Sequence, residues 1–430
     1  MLSSTNGQFG SPTIKVITGA AGTGKTTAIR AIIKEFRSTG RQFVLVAPTN
    51  RAAKILRTEH KLPATTIHKS LYRTVKTDDY TIVMKPVIDG TTGRPKTNAA
   101  GETIYFEDEQ PIWEFVFNPL LDRNFTIIID ESSMVPSNVW DDIMKNFTGE
   151  IIMVGDQNQL QPVEVGDAVV PEYINFFTNV ATHPDCHLGG NEHNKRLNEN
   201  AAGIHAVIDH VCSPKTLHGA FPNLEGSVGY NYIDLRSDTK ITPDIRMLLN
   251  AASYGEDSAI ICWTNLECEF VNRLVRKDHA VENNVRYTEY PVVGDKLIAE
   301  CPYIVDDANG NSVQIVTKGD ELYIKEITEV DSLNNIMWVR VEGIKEFIPL
   351  SVAHITGERV PKKIKVVRWV YGYAMTCHKA QGSGWQTVVI VDSHCRPDDG
   401  RRWRYTAATR ARTKLIVIKT GIGFDKRTVV

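Results

Sequence analysis

The run Gly19-Ala-Ala-Gly-Thr-Gly-Lys25-Thr26 fits the pattern GxxxxGK followed by Ser or Thr, with the β-branched stretch Ile14 to Thr18 leading into it. This spacing suits a phosphate cradle. Gly19, Gly22 and Gly24 let the backbone bend until its N–H groups point inward at the start of a helix. Lys25 is placed to neutralise the β- and γ-phosphates of ATP, and the Thr26 hydroxyl to hold Mg²⁺. Thr23 and Thr27 flank the lysine and count with it as nucleotide-binding positions.

A second apolar run, Ile127 to Ile129, ends in Asp130-Glu131. Alone, such a pair is more often a helix cap beside a solvated acid. Behind a phosphate loop, Asp130 is expected on Mg²⁺ and Glu131 on the attacking water. Two adjacent carboxylates with different tasks suit hydrolysis, whereas a kinase must exclude water. Gln159, in Gly155-Asp156-Gln-Asn-Gln159-Leu-Gln-Pro162, follows the next strand; its amide can both donate to and accept from the γ-phosphate region. Charge on a transferring phosphoryl group also calls for cations from across a cleft. Arg196, in NKRLNEN, and Arg410, in YTAATRAR, are placed for it, and the planar guanidinium matches phosphate oxygens. Arg404 and Arg412 are read as structural.

Small hydroxyls recur where other strands end: Thr49, Thr66, Thr264 and Thr376. Singly, each is more commonly a helix cap. Repeated beyond strand ends, where open α/β sheets bind ligands, they suit the phosphates of a single strand, with His68, Asn265, His378 and Lys379 adding donors. Trp113, Trp263 and Trp385 could stack on bases, although a core position is the commoner fate of a tryptophan.

The elements that must position these groups are short apolar strands alternating with helical patterns. Ile14 to Thr18, Phe43 to Ala47, Ile127 to Ile129 and Ile151 to Val154 form one set; Ala259 to Trp263, Val388 to Val391 and Leu415 to Ile418 form another. Continuous apolar strands indicate parallel sheets covered on both faces, so the fold class is α/β with two parallel-sheet domains. Residues 74–118 read as a β-hairpin with a polar tip, and 286–361, with its Gly-Asp turns, as a small β-barrel. The first domain is expected over 1–73 and 119–190, the second over 191–285 and 362–430.

At 430 residues, 42% hydrophobic and 23% charged, the chain is of ordinary globular composition. It contains no run near the roughly 20 apolar residues of a membrane span, no secretory leader is expected, and seven scattered cysteines read as reduced thiols. A cytoplasmic location is expected, the host cytoplasm if the chain is phage-encoded. The formal charge of -2 neither advertises nor excludes a nucleic-acid binder, because local placement decides.

Taken in order, GAAGTGKTT, APTNRAA, ATTIHKS, IIIDESSM, VGDQNQLQPV, NKRLNEN, TNLECEFVN, AMTCHKAQGSGW and YTAATRAR resemble the motif series of superfamily 1 helicases. The series is similar to the 5′-to-3′ branch with its RecD-like and Dda-like members, and it spans Gly19 to Arg412. The resemblance implies two RecA-like domains of the P-loop NTPase type. It implies an ATPase site of Lys25, Thr26, Asp130, Glu131, Gln159, Arg196 and Arg410. It also implies a DNA track along Pro48, Thr49, Thr66, His68, Thr264, Asn265, Thr376, His378 and Lys379. The 74–118 hairpin would be a strand-separating pin and the 286–361 barrel an SH3-like insertion. The implied activity is ATP-dependent DNA unwinding, with single-stranded and forked duplex DNA as partners. Single-strand-binding or replication and recombination proteins are further expected partners, and a monomer is expected to suffice. In one respect the chain departs from the pattern. Relatives carry a glutamine upstream in a helix to read adenine, whereas here only 18 residues precede Gly19 and Gln8 sits among Gly, Asn and Ser. A remodelling or loading ATPase that never separates strands is the alternative; the second α/β domain argues against it.

Overall fold

Isoleucine- and valine-rich runs become buried strands, and each leads into a helix through a polar turn. A computed structural model describes residues 12–121, 124–162, 188, 201–216, 219–236, 240–255, 257–306, 312–393, 397–421 and 428–429. Along the chain, β1 (Thr13–Thr18) precedes α1 (Lys25–Thr39), β2 (Phe43–Ala47) precedes α2 (Asn50–Thr58), and β3 (Ala64–Thr66) precedes α3 (Ile67–Leu71). Then come β4 (Tyr72–Pro86), β5 (Tyr105–Phe117), β6 (Thr126–Ile129), α4 (Ser137–Asn146) and β7 (Glu150–Gly155). Strands pair in the order β1-β7-β6-β2-β3, all parallel, so the ends of β1, β6 and β7 lie side by side. β6 and β7 are buried throughout, as a sheet with both faces covered requires. Helix α1 buries Ile29, Ile33 and Phe36 against one face and stops at Gly40, whose left-handed backbone returns its N–H to the Phe36 carbonyl.

The chain continues through α5 (Ala202–Cys212), β8 (Tyr230–Asp234), β9 (Lys240–Ile241), α6 (Pro243–Tyr254), β10 (Ser258–Cys262) and α7 (Asn265–Glu282). Next come β11 (Lys296–Ala299), β12 (Tyr303–Asp306), β13 (Ser312–Val316), β14 (Glu321–Asp331), β15 (Ile336–Val341), β16 (Ile348–Ser351), α8 (Ala353–Thr356) and β17 (Trp369–Tyr371). The chain closes with β18 (Ala374–Thr376), α9 (Cys377–Ala380), β19 (Trp385–Asp392), α10 (Pro397–Ala408), β20 (Ala411–Lys419) and β21 (Thr428–Val429), which pairs with β9. A second five-stranded sheet has the order β18-β10-β19-β20-β8, with β10, β19, β20 and β8 parallel. The two parallel sheets are the pair expected from the strand pattern, and they fit the RecA-like pair that the resemblance implies.

The chain divides into two compact units. Both parallel sheets fall in the unit formed by residues 1–73, 116–268 and 375–430; the other comprises 74–115 and 269–374. In the latter, β4 and β5 form a two-stranded sheet, the hairpin expected over 74–118, and Met84 of β4 also bridges to Ile364. An antiparallel sheet of order β16-β15-β14-β11-β17 encloses an apolar core. It takes in Trp369–Tyr371, past residue 361, because Trp369 is itself core.

That second unit has an ion pair at its centre. Arg276 on α7 meets Asp295 at 3.1 Å, with both side chains about 95% covered. Asp295 also accepts from the Tyr373 hydroxyl at 2.8 Å and the Val292 N–H at 2.8 Å, and Arg276 lies over the Tyr371 ring. Removing one member strands the other as an uncompensated buried charge. Asp295→Ala is therefore expected to destabilise this unit by about 3–5 kcal/mol, read as a lower denaturant midpoint for its unfolding. An unchanged midpoint would show that the pair does not hold the unit together.

Candidate active site

The loop after β1 is shaped by its glycines. Gly22 and Gly24 take φ of 79° and 105°, which L side chains rarely adopt. A Cβ on Gly19 would come within 2.5 Å of the Thr23 hydroxyl oxygen, so that turn closes only around glycine. Thr23 donates to the Ala20 carbonyl at 2.9 Å and fixes the loop from within. Lys25, first residue of α1, folds its ammonium back onto the Gly19 and Ala20 carbonyls at 2.8 and 2.9 Å. The ammonium is thereby held over the cradle.

A cavity of about 200 Å³ opens here, lined by Gly22, Gly24, Lys25, Thr26 and Thr27 together with Asp130, Glu131, Gln159 and Arg410. Asp130 ends β6 beside the loop and is nine-tenths buried. Glu131 has φ of 50°, unusual for a residue with a side chain. Its Oε2 is buried with no hydrogen-bond partner among the described residues, and the same holds for Gln159 Oε1. A strained backbone and two orphaned acceptors in one cavity are what a preorganised site shows. Arg410 arrives from the second sheet, 2% exposed, its guanidinium anchored on the Thr406 and Ser383 carbonyls, each at 3.0 Å, and on the Thr409 hydroxyl at 3.1 Å. Seven of the expected positions from Gly22 to Arg410 thus share one cavity with Thr27 and Gly24, and Gly19 supports it from behind. Arg196 and Gln8 lie outside the described residues.

The threonines expected on a nucleic-acid track cap helices. Thr49 accepts from the Ala52 N–H at 3.1 Å and Thr66 from Lys69 at 3.3 Å. Thr264 accepts from Glu267 at 3.1 Å, while the Glu267 carboxylate returns to the Thr264 and Trp263 N–H groups. This is a capping box, and the spacing T-x-x-E announces it. Thr376 precedes α9 without a side-chain cap bond. A capping hydroxyl uses only its lone pair, so its proton stays available to a phosphate oxygen. Both roles are compatible. Thr49 follows β2, with Pro48 before it, and Thr66 ends the adjacent parallel β3; Thr264 and Asn265 follow β10 and Thr376 ends its neighbour β18. His68 is exposed and stacks on Tyr72 at 5.4 Å, Asn265 is exposed, and His378 and Lys379 on α9 are half-buried.

Two of the tryptophans have protein partners for their rings. The Arg51 guanidinium lies over the Trp385 ring at 5.1 Å, and Trp263 meets Trp403 edge-on at 5.4 Å. The Trp113 side chain lies outside what is described. Arg404 and Arg412 pair with Asp392 and Glu59, as structural arginines would.

Several residues with no role assigned from the sequence tie the two sheets together. Arg51 on α2 donates to the Ser383 hydroxyl and to Met375 Sδ. Arg402 on α10 donates to the Gln157 and Gln159 carbonyls, Thr406 accepts from the Leu160 N–H at 2.9 Å, and Gln381 donates to the Leu160 carbonyl at 3.3 Å. Tyr405 donates to Asp156 at 2.6 Å.

Family comparison agrees with this geometry. A model described as an AAA domain matches residues 8–171, and one described as the UvrD-like helicase C-terminal domain matches 371–418. These cover the phosphate loop of the first sheet and the loop-and-helix region that delivers Arg410. The chain is similar to two proteins named as ATP-dependent DNA helicases. It is 25% identical over 409 residues to the ATP-dependent RecD2 DNA helicase of Deinococcus radiodurans, covering 93% of this chain and 46% of that one. To the ATP-dependent DNA helicase dda of Enterobacteria phage T4 it is 32% identical over 167 residues, 38% of this chain and 31% of that one. An uncharacterised protein, R530 of Acanthamoeba polyphaga mimivirus, is 22% identical over 492 residues, with 92% of this chain and 93% of that one covered. The chain therefore spans less than half the length of the two helicases it matches by name. No helix among the described residues is long and apolar enough to cross a membrane.

Proposed function

We propose that this chain is an ATP-dependent DNA helicase that moves 5′-to-3′ along single-stranded DNA and separates duplex ahead of it. The observation that carries the reading is the cavity in which Lys25, Glu131 and Gln159 of one sheet meet Arg410 of the other. Lys25 takes the β- and γ-phosphates, with the N–H groups of Gly19 to Thr27 around them. Glu131 Oε2 accepts the proton of the attacking water, and the unpartnered Gln159 Oε1, an acceptor, can hold that water beside the γ-phosphate. Arg410, with Arg196 as a second cation, stabilises charge on the transferring group. The Thr26 hydroxyl and Asp130 carboxylate suit Mg²⁺, which takes few protein oxygens and draws the rest from water and phosphate. When bound, that ion would neutralise the β- and γ-oxygens. Pro48, Thr49, Thr66 and His68 on one side, and Thr264, Asn265, Thr376, His378 and Lys379 on the other, grip the DNA backbone alternately. Residues 74–118 serve as the pin and 286–361 as an SH3-like accessory domain, in a motor that works as a monomer on forked DNA and in contact with single-strand-binding or replication proteins.

ATP hydrolysis with and without single-stranded DNA tests this, with Lys25→Ala as the blank. Strong stimulation that Lys25→Ala abolishes is expected, followed by unwinding of a 5′-tailed duplex. Hydrolysis indifferent to DNA overturns the motor reading; stimulated hydrolysis without unwinding favours a remodelling ATPase.

A further inference from the structure

One residue touches both walls of the nucleotide cavity, and no role proposed above uses it. Tyr405 lies on α10, fully buried, with its hydroxyl placed between the phosphate loop and the loop after β7. It donates to Asp156 Oδ2 at 2.6 Å and accepts from the Ala21 N–H at 3.4 Å, although Ala21 and Tyr405 are 384 residues apart in sequence. The same Asp156 oxygen accepts from the Gln159 amide at 3.4 Å, leaving Gln159 Oε1 unpartnered at the cavity. Asp156 Oδ1 is held separately by the Asn158 N–H at 3.0 Å. A short bond to a carboxylate in a dry interior is among the stronger hydrogen bonds a protein makes. Burial, and then the Asp156 charge, push the phenol well above its ordinary pKa, so it stays a donor.

We infer that Tyr405 is a positioning residue for ATP hydrolysis: its hydroxyl sets Asp156, which holds the Gln159 Nε2 and so turns Oε1 toward the water that attacks the γ-phosphate, and at the same time links the phosphate loop to the helix that delivers Arg410. The helix around it supports the assignment. Arg402 and Thr406, one turn before and one residue after, hold the backbone of 157–160, while Thr406 and Thr409 hold the Arg410 guanidinium. Tyr405 adds side-chain orientation to a loop whose main chain is already fixed. The Tyr405 phenol therefore joins the phosphate loop at Ala21 to Asp156 and, through it, to Gln159. The inference rests on the ATPase reading.

The test is steady-state ATPase of the full chain with single-stranded DNA, comparing wild type, Tyr405→Phe, Gln159→Ala and the double variant, with Lys25→Ala as blank. Tyr405→Phe keeps the ring and its packing. Losing one hydrogen bond to a charged group is expected to lower kcat about tenfold or more, with the KM for ATP within about twofold. Because Tyr405 acts through Gln159, the same substitution is expected to cost less than about twofold in the Gln159→Ala background. A purely structural tyrosine would lower the melting temperature and act equally in both backgrounds, and that outcome overturns the inference. So does undiminished kcat in Tyr405→Phe. If Tyr405→Phe does not fold, Asp156→Asn, which keeps the side-chain shape, is expected to show the same kcat loss and the same dependence on Gln159. No Lys25-dependent hydrolysis in wild type would instead sink the ATPase reading itself.

Discussion

Arg410→Ala is expected to bind ATP and to hydrolyse it about 10³-fold or more slowly than wild type, the contribution an arginine finger makes to phosphoryl transfer. The size follows from how the guanidinium is held. Three of its five N–H groups are spent on Thr406, Ser383 and Thr409, all within its own sheet's loops and helix. The other two, one on each terminal nitrogen, have no hydrogen-bond partner among the described residues, and the residue lines the cavity beside Lys25 and Glu131. Such a donor is oriented before the substrate arrives, so little reorganisation opposes it when charge develops on the phosphoryl group. Because Arg410 is buried, alanine also takes a partner from the Ser383 carbonyl and leaves a void behind, while the Thr406 carbonyl keeps the Thr409 hydroxyl. Arg410→Lys separates the two effects. It keeps the charge and much of the volume but lacks the fork, and it is expected to restore the melting temperature without restoring the rate. Near-normal turnover in either variant, measured at saturating ATP and single-stranded DNA, would remove Arg410 from the catalytic set.

The cavity was readable from the sequence because each part lies on a local signal. The glycine loop needs positive φ, the acids of Asp130-Glu131 follow an apolar run, and Gln159 follows the next one. Parallel strands bring those ends together without help from distant residues. What could not be read is how the two sheets are joined. Arg51, Arg402, Thr406 and Tyr405 find partners more than 200 residues away, and each belongs to a type that is more often a surface or core residue. Nothing in YTAATRAR says that its tyrosine meets an aspartate after β7. Trp385 shows the converse. A tryptophan beside a glycine-rich turn suggests a stacking platform, yet its face is taken by Arg51, whose neighbours in APTNRAA gave no hint of it. The threonines fall between these cases. Their position after strands was legible, and so was the capping role, but only Thr264 carried a reciprocal partner, Glu267, in its own sequence window.

Glu131→Gln is expected to bind ATP and single-stranded DNA as wild type does and to lose hydrolysis by about 10²–10⁴-fold, the range for removing a positioned general base. Glutamine has the length and shape of glutamate, so the left-handed backbone at φ 50° and the cavity outline are retained. What disappears is the acceptor. Oε2 is buried without a partner among the described residues, so no other role of that oxygen is lost. An amide in its place cannot take a proton from water. The neighbouring Asp130 cannot substitute, because its carboxylate sits at the end of β6 and is the proposed ligand of the metal. Single-turnover hydrolysis of bound ATP is the decisive measurement, since it separates chemistry from product release. A slow single turnover with unchanged ATP affinity assigns the proton transfer to Glu131. A fast single turnover with a slow steady state would place the residue in release of ADP or phosphate instead. A rate within about threefold of wild type in both would leave the strained backbone at Glu131 without a catalytic reason. The same variant separates motor from grip: with hydrolysis blocked, translocation must stop while DNA binding, still strengthened or weakened by ATP, reports how the closed cavity changes the hold on the strand.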